Sequence, residues 1–185
     1  IYNGTDDNGN PQVFVNVNNV VMAYEPDTTE FRFNLMGGND SLFAYDDIQI
    51  PMVVDAGEGN DTVRTSDGND ILFAGKGNDI AYGGKGNDAV VGGDGTDVIG
   101  GDQGNDLVIG GTGIDGLFGG GSGEDILIGG TTSYDTNEAA LTAIIDEWGS
   151  GASNADRINH LRGTLPGGLN GSVFLKVGSG ATVFN

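Results

Sequence analysis

A nine-residue word, G-G-x-G-x-D-x-U-x with U apolar, repeats almost without interruption from Ala56 to Ile128. It constrains the fold of this chain more than any other feature. In register the copies read AGEGNDTVR, TSDGNDILF, AGKGNDIAY, GGKGNDAVV, GGDGTDVIG, GDQGNDLVI and GGTGIDGLF, then, after one extra residue placed at Gly119, GGSGEDILI. The fourth position is Gly in every copy. The sixth is Asp in all eight: Asp61, Asp70, Asp79, Asp88, Asp97, Asp106, Asp115 and Asp125. Each word divides into a six-residue turn and a three-residue strand too short to fold alone, so two words must close one 18-residue coil that stacks on the next.

The expected fold is therefore all-β: a parallel β-roll, or β-solenoid. Three zones organise it. Residues 1–55 form an irregular β region, with strands expected at Gln12–Val17, Val20–Tyr24, Phe31–Leu35 and Ile48–Val54. A degenerate copy of the word lies there at Leu35–Phe43, with Gly38 at position four and Asp40 at position six. Residues 56–130 are the regular array. Residues 131–185 read as an α/β cap, with strands at Val173–Val177 and Thr182–Phe184. Asp135 and Glu138 fit a capping box, and Leu141, Ile144, Ile145 and Trp148 follow at helical spacing up to Gly149. Ser153 with Asp156 starts a second, shorter helix.

Coils repeating every 18 residues would stack at about 4.8 Å, dividing the Asp side chains into two ladders on opposite edges. One holds Asp61, Asp79, Asp97 and Asp115; the other holds Asp70, Asp88, Asp106 and Asp125. Carboxylates at that spacing repel by about 3–4 kcal/mol at an effective dielectric near 20. A hard divalent cation between turns converts the repulsion into coordination. Calcium fits best, because it accepts 6–8 oxygens from carboxylates and carbonyls in flexible geometry. Magnesium demands near-ideal octahedra and zinc prefers His or Cys, neither of which the array contains. About six ions are expected, with an end site at Asp40.

The array resembles the repeats-in-toxin (RTX) family, strongly over 56–130 and weakly over 35–43. The resemblance implies that turn carbonyls join the Asp side chains as ligands. Those of Gly75, Gly77, Gly83, Lys85, Asn87, Gly92, Asp94, Thr96, Gln103 and Asn105 are the candidates. Thr65-Ser66 in place of the opening glycines, Asp102 in place of the second, and the extra Gly119 are departures expected to weaken or distort sites. The tail is similar to the C-terminal region of large secreted bacterial RTX proteins, where chain beyond Asn185 is expected.

Composition narrows the partners. A net charge of −20, with 7 Lys and Arg against 27 acids, repels nucleic acid and anionic membranes. No apolar run is long enough for a membrane span, so membrane insertion is not expected. The absence of Cys removes disulfides and thiolate metal sites. The chain opens at Ile1 with neither Met nor a signal-peptide pattern, as a mature or excised fragment would. His160 is the sole histidine and has no motif partner, Gly75-Lys76 and Gly84-Lys85 lack the Ser or Thr of a phosphate loop, and Ser122 has no triad, so no enzyme is expected.

Along the strands, position eight should face inward: Val63, Leu72, Ala81, Val90, Ile99, Val108, Leu117 and Leu127. On one sheet the outward positions are mixed. On the other they are entirely apolar, including Ile71, Phe73, Val91, Leu107, Ile109, Ile126 and Ile128. Such a face should be covered by the Glu138–Trp148 helix or by another chain, through partner binding or self-association. The functional expectation is a calcium-dependent structural module of an extracellular, secreted or cell-surface protein, folding on Ca2+ binding outside the cell. The competing readings are the repeat domain of a secreted enzyme or toxin, and an adhesin or filament subunit assembling head to tail.

Overall fold

The computed structural model describes residues 2–5, 11–17, 20–24, 28–45, 47–162, 166–168 and 182–184. The strand expected at Val173–Val177 lies outside them. Strands β1 (Tyr2–Thr5), β2 (Pro11–Val17) and β3 (Val20–Tyr24) form an antiparallel sheet of their own, in that order. The solenoid follows, and its strands alternate between two sheets. To one go β4 (Phe31–Asn34), β6 (Met52–Asp55), β8 (Ile71–Gly77), β10 (Ala89–Gly95), β12 (Leu107–Gly113) and β14 (Ile126–Ile128). To the other go β5 (Ser41–Phe43), β7 (Thr62–Arg64), β9 (Ile80–Lys85), β11 (Val98–Gln103) and β13 (Gly116–Ser122). All pairings within the solenoid are parallel; only β15 (Thr182–Phe184) adds antiparallel, on β14. The parallel β-roll is the fold of this chain.

Coils stack with a separation of 18 residues through the array, seen in Ala89 against Leu107 and Val98 against Ile80. Two places deviate. Ser41 pairs with Thr62, a separation of 21, so the first coil carries three more residues than the others. Leu107 pairs with Ile126, a separation of 19. The register breaks where Asp102 pairs with Gly120 but Gln103 pairs with Ser122. The inserted residue is therefore Gly121, not Gly119: Gly119 keeps the place of a position-one glycine beneath Asp125. The strands are also longer than three residues. β8, β10 and β12 run seven each, because the first four positions of the next word stay extended and bond to their neighbours before the chain turns.

Two apolar layers hold these sheets. Inside the roll, Val63, Leu72, Ala81, Val90, Ile99 and Val108 are fully buried, as position eight requires, while Leu117 and Leu127 are half-buried in the last coil. Outside, α1 (Glu138–Trp148) lies across the apolar sheet. Leu141, Ile144, Ile145 and Trp148 bury against Ile71, Val91, Leu107, Ile109, Ile126 and Ile128. Each such side chain contributes roughly 1.5–3 kcal/mol on burial. The face is thus filled by its own chain. As a surface for self-association it is corrected, since all but the half-buried Phe73 are inaccessible. The N-cap of α1 is Asn137, whose side chain accepts the Ala140 N–H at 3.1 Å. Asp135 instead closes the preceding turn on Thr132. α2 (Asn154–Leu161) begins at Ser153 as expected.

Candidate metal centres along two turn edges

Stacking brings the position-six side chains together as the period requires. On the first edge Asp40, Asp61, Asp79, Asp97 and Asp115 form a column; on the second stand Asp70, Asp88, Asp106 and Asp125. Oδ1 of all but Asp40 accepts the backbone N–H of the residue one coil earlier, at 2.7–3.1 Å. Asp40 belongs fully to the first column, since its N–H donates to Asp61 Oδ1 at 2.7 Å.

The second carboxylate oxygen is different. Oδ2 of Asp40, Asp61, Asp79, Asp88, Asp97, Asp106 and Asp115 is buried without a hydrogen-bond partner. Unpaired buried carboxylate oxygens cost several kcal/mol each unless a proton or a cation serves them. Burial accordingly drives the carboxyls of Asp79, Asp88, Asp97 and Asp106 toward protonation. It lifts Asp79 to about 6 and Asp106 to about 7, and Asp97 and Asp125 are raised for the same reason. Asp88, deeply buried and beside the charge of Asp70, is pushed up to about 10.

The spare oxygens lean over the position-one glycines. A Cβ on Gly83 would lie 2.4 Å from Asp88 Oδ2. On Gly92 it would lie 2.8 Å from Asp97 Oδ2 and 2.5 Å from the Gly110 carbonyl oxygen of the next coil. Carboxylate and carbonyl from successive coils thus face one small space, an oxygen-only cradle suited to a hard cation. Gly110 is a carbonyl candidate that the sequence reading did not single out.

The other carbonyl candidates divide by position. Those of Gly75 and Gly77 point at the next coil, where a Cβ on Gly93 or Gly95 would come within 2.0 and 1.5 Å. Only glycine tolerates both that approach and the positive φ found there. Lys85, Asp94 and Gln103 sit at position three: Lys85 pairs with Asp67 at 2.9 Å, Asp94 accepts from Thr112 at 2.7 Å, and the Gln103 carbonyl takes the Gly86 N–H at 2.9 Å. Asn87, Thr96 and Asn105 occupy position five, which carries a second ladder. Oδ1 of Asn39, Asn60, Asn69, Asn78, Asn87 and Asn105 each accepts the position-five N–H of the following coil, at 2.8–2.9 Å. The 18-residue register is what turns these asparagines into a ladder.

The second edge ends early. Met52 stands where its column would need another Asp, and it is fully buried above Asp70. The departure Thr65-Ser66 lies at this junction. Ser66 donates from Oγ to the Tyr45 carbonyl and accepts the Ile48 N–H, while its own N–H reaches Asp70 Oδ2 at 3.3 Å. Both oxygens of Asp70 are therefore served by the chain. Burial still raises Asp70 to about 6, with hydrogen bonds from Met52, Thr65 and Ser66 opposing it.

Residues 55–90 and 82–117 each match the four-copy pattern of the RTX calcium-binding nonapeptide repeat. This segment is an RTX calcium-binding array. Its match spans two overlapping blocks and stops short of Asp40 and Asp125, which nonetheless share the RTX ladder geometry. No curated protein and no solved structure matches the chain. The RTX repeat is a structural calcium-binding unit, and here it builds a solenoid whose turns carry unserved oxygens. Among the described residues no helix is long and apolar enough to cross a membrane.

Proposed function

We propose that the chain is a calcium-dependent structural module of an extracellular protein, folding when it meets Ca2+ outside the cell. The observation that carries this reading is the row of buried Oδ2 atoms without partners. Ions would sit in the gaps between stacked turns, from Asp40–Asp61 to Asp97–Asp115 on the first edge and from Asp70–Asp88 to Asp106–Asp125 on the second. Among the described residues no three acidic or histidine side chains converge, so backbone carbonyls must supply most of each ion's remaining oxygens.

Calcium is what tips the fold. At about 1 mM, a site with the dissociation constant of about 0.1–1 mM usual for extracellular modules contributes about 0.4–1.4 kcal/mol. At cytoplasmic calcium the same site contributes almost nothing. Several such sites in one cooperative roll separate an unfolded state inside from a folded state outside. The test is far-UV circular dichroism with calorimetric calcium titration. The β signal should vanish with chelator and return with several ions bound; a spectrum indifferent to chelator would overturn the reading.

A further inference from the structure

The last turn of the second edge is built differently from the rest, and the difference points at the helical cap. It carries the inserted Gly121, and Gly120 to Glu124 are exposed where earlier turns are stacked. At position five it has Glu124 in place of the asparagine found at Asn69, Asn87 and Asn105 on the same edge. The Glu124 N–H still enters the asparagine ladder, on Asn105 Oδ1 at 2.8 Å.

The other groups of Glu124 reach out of the roll. Its carbonyl accepts the Trp148 indole N–H at the end of α1. Its carboxylate accepts from Asn154 Nδ2 at 2.6 Å and pairs with Arg157 of α2. Arg157 is itself buried, with its guanidinium 4.6 Å over the Trp148 ring and bonded to the Trp148 carbonyl. Glu124 adjoins Asp125, whose Oδ1 holds the Asp106 N–H at 3.1 Å.

We infer that Glu124 is a positioning residue which makes the helical cap part of the terminal calcium site: α2 clamps Glu124, and the clamp holds Asp125 in place for the Asp106–Asp125 gap. The inference rests on the calcium reading above. A turn loosened by an extra glycine loses more entropy on ordering, and the charged clamp offsets that loss. The coupling is reciprocal, so an ion in that gap also favours docking of the helices.

Trp148 is the only tryptophan and is buried in the junction, so its fluorescence reports cap docking separately from the β signal. In the parent chain, the tryptophan transition and the β transition should overlay during calcium titration. In Glu124→Asn, which restores the residue of the other repeats, the β signal at saturating calcium should match the parent. The tryptophan transition should move to about tenfold higher calcium, with one ion fewer bound at the parent's midpoint. Overlaid transitions with unchanged stoichiometry in Glu124→Asn would overturn the inference. Should that variant fail to fold, Arg157→Gln leaves the turn sequence intact and is read by the same two outcomes. A parent chain that takes up no calcium would sink the calcium reading itself, a result distinct from a parent that binds with uncoupled transitions.

Discussion

The two edges of the roll are made from the same word and end in opposite ways. On the first edge the column extends past the regular array to Asp40, through a degenerate copy with Met36 at a positive φ of 76° where glycine is usual. On the second edge it stops at Asp70, because Met52 replaces the carboxylate and Ser66 ties the turn to Tyr45 and Ile48. Three extra residues in the first coil reach the second edge as a loop closed by hydrogen bonds instead of an oxygen cradle. An 18-residue coil thus has two independent ways to close a turn. One leaves oxygens for a cation, and the other serves them from the chain.

The largest effect should come from changing protonation and calcium together. The Asp carboxyls are near 3.9 in an unfolded chain. In the metal-free roll burial raises Asp79 and Asp106 to about 6 and 7 and Asp88 to about 10. Groups raised on folding add stability that is fully present below about pH 4 and lost as pH climbs through the folded values. In chelator, circular dichroism should show more β structure at pH 5 than at pH 8. With calcium the trend should reverse, because protons compete with the ion. Absence of acid rescue in chelator would break the account of the cation-type turns.

Next in size is Gly95→Ala. It places a methyl 1.5 Å from the Gly77 carbonyl at a φ of +156°, and should cost about 3 kcal/mol in thermal or urea unfolding with calcium present. The two ways of closing a turn separate under a matched pair of substitutions on the second edge. Ser66→Ala strips partners from the Ile48 N–H and the Tyr45 carbonyl, and should cost about 1–3 kcal/mol. Asp88→Asn keeps the shape, removes a carboxyl that must take up a proton to be buried without metal, and should have opposite signs: more structure in chelator, weaker calcium binding in titration. Equal behaviour of the two variants would erase the distinction between turns served by the chain and turns left open for a cation. The smallest effect concerns the asparagine ladder on the first edge, where Thr96 leaves the Ile114 N–H without a side-chain acceptor of that kind. Thr96→Asn should add the rung and raise stability by about 0.5–1.5 kcal/mol.

Much of the site was legible because it is periodic. Once two words make a coil, Asp79 must stand above Asp97 and Asp88 above Asp106, and no further information is needed to find the ladders. The apolar row Ile71, Val91, Leu107, Ile109 likewise announced that something must cover it. The illegible parts depend on single contacts. Choosing Gly121 over Gly119 as the insertion needs the pairing of Gln103 with Ser122. Choosing Asn137 over Asp135 as the cap needs the turn that Thr132 offers Asp135. Nothing in the local sequence of Met52 or Glu124 distinguishes an ordinary core or turn residue from the end of a carboxylate column.

The nine-residue period, by itself, determined the roll and its two carboxylate columns. A repeating steric and electrostatic pattern permits only one stacking that satisfies every coil alike. Only the tertiary structure decided where each column stops, which chain covers the apolar sheet, and how the helices grip the final turn. Those outcomes turn on contacts between residues far apart in sequence, such as Arg32 with Glu138 and Glu124 with Arg157, whose meeting depends on the completed coil.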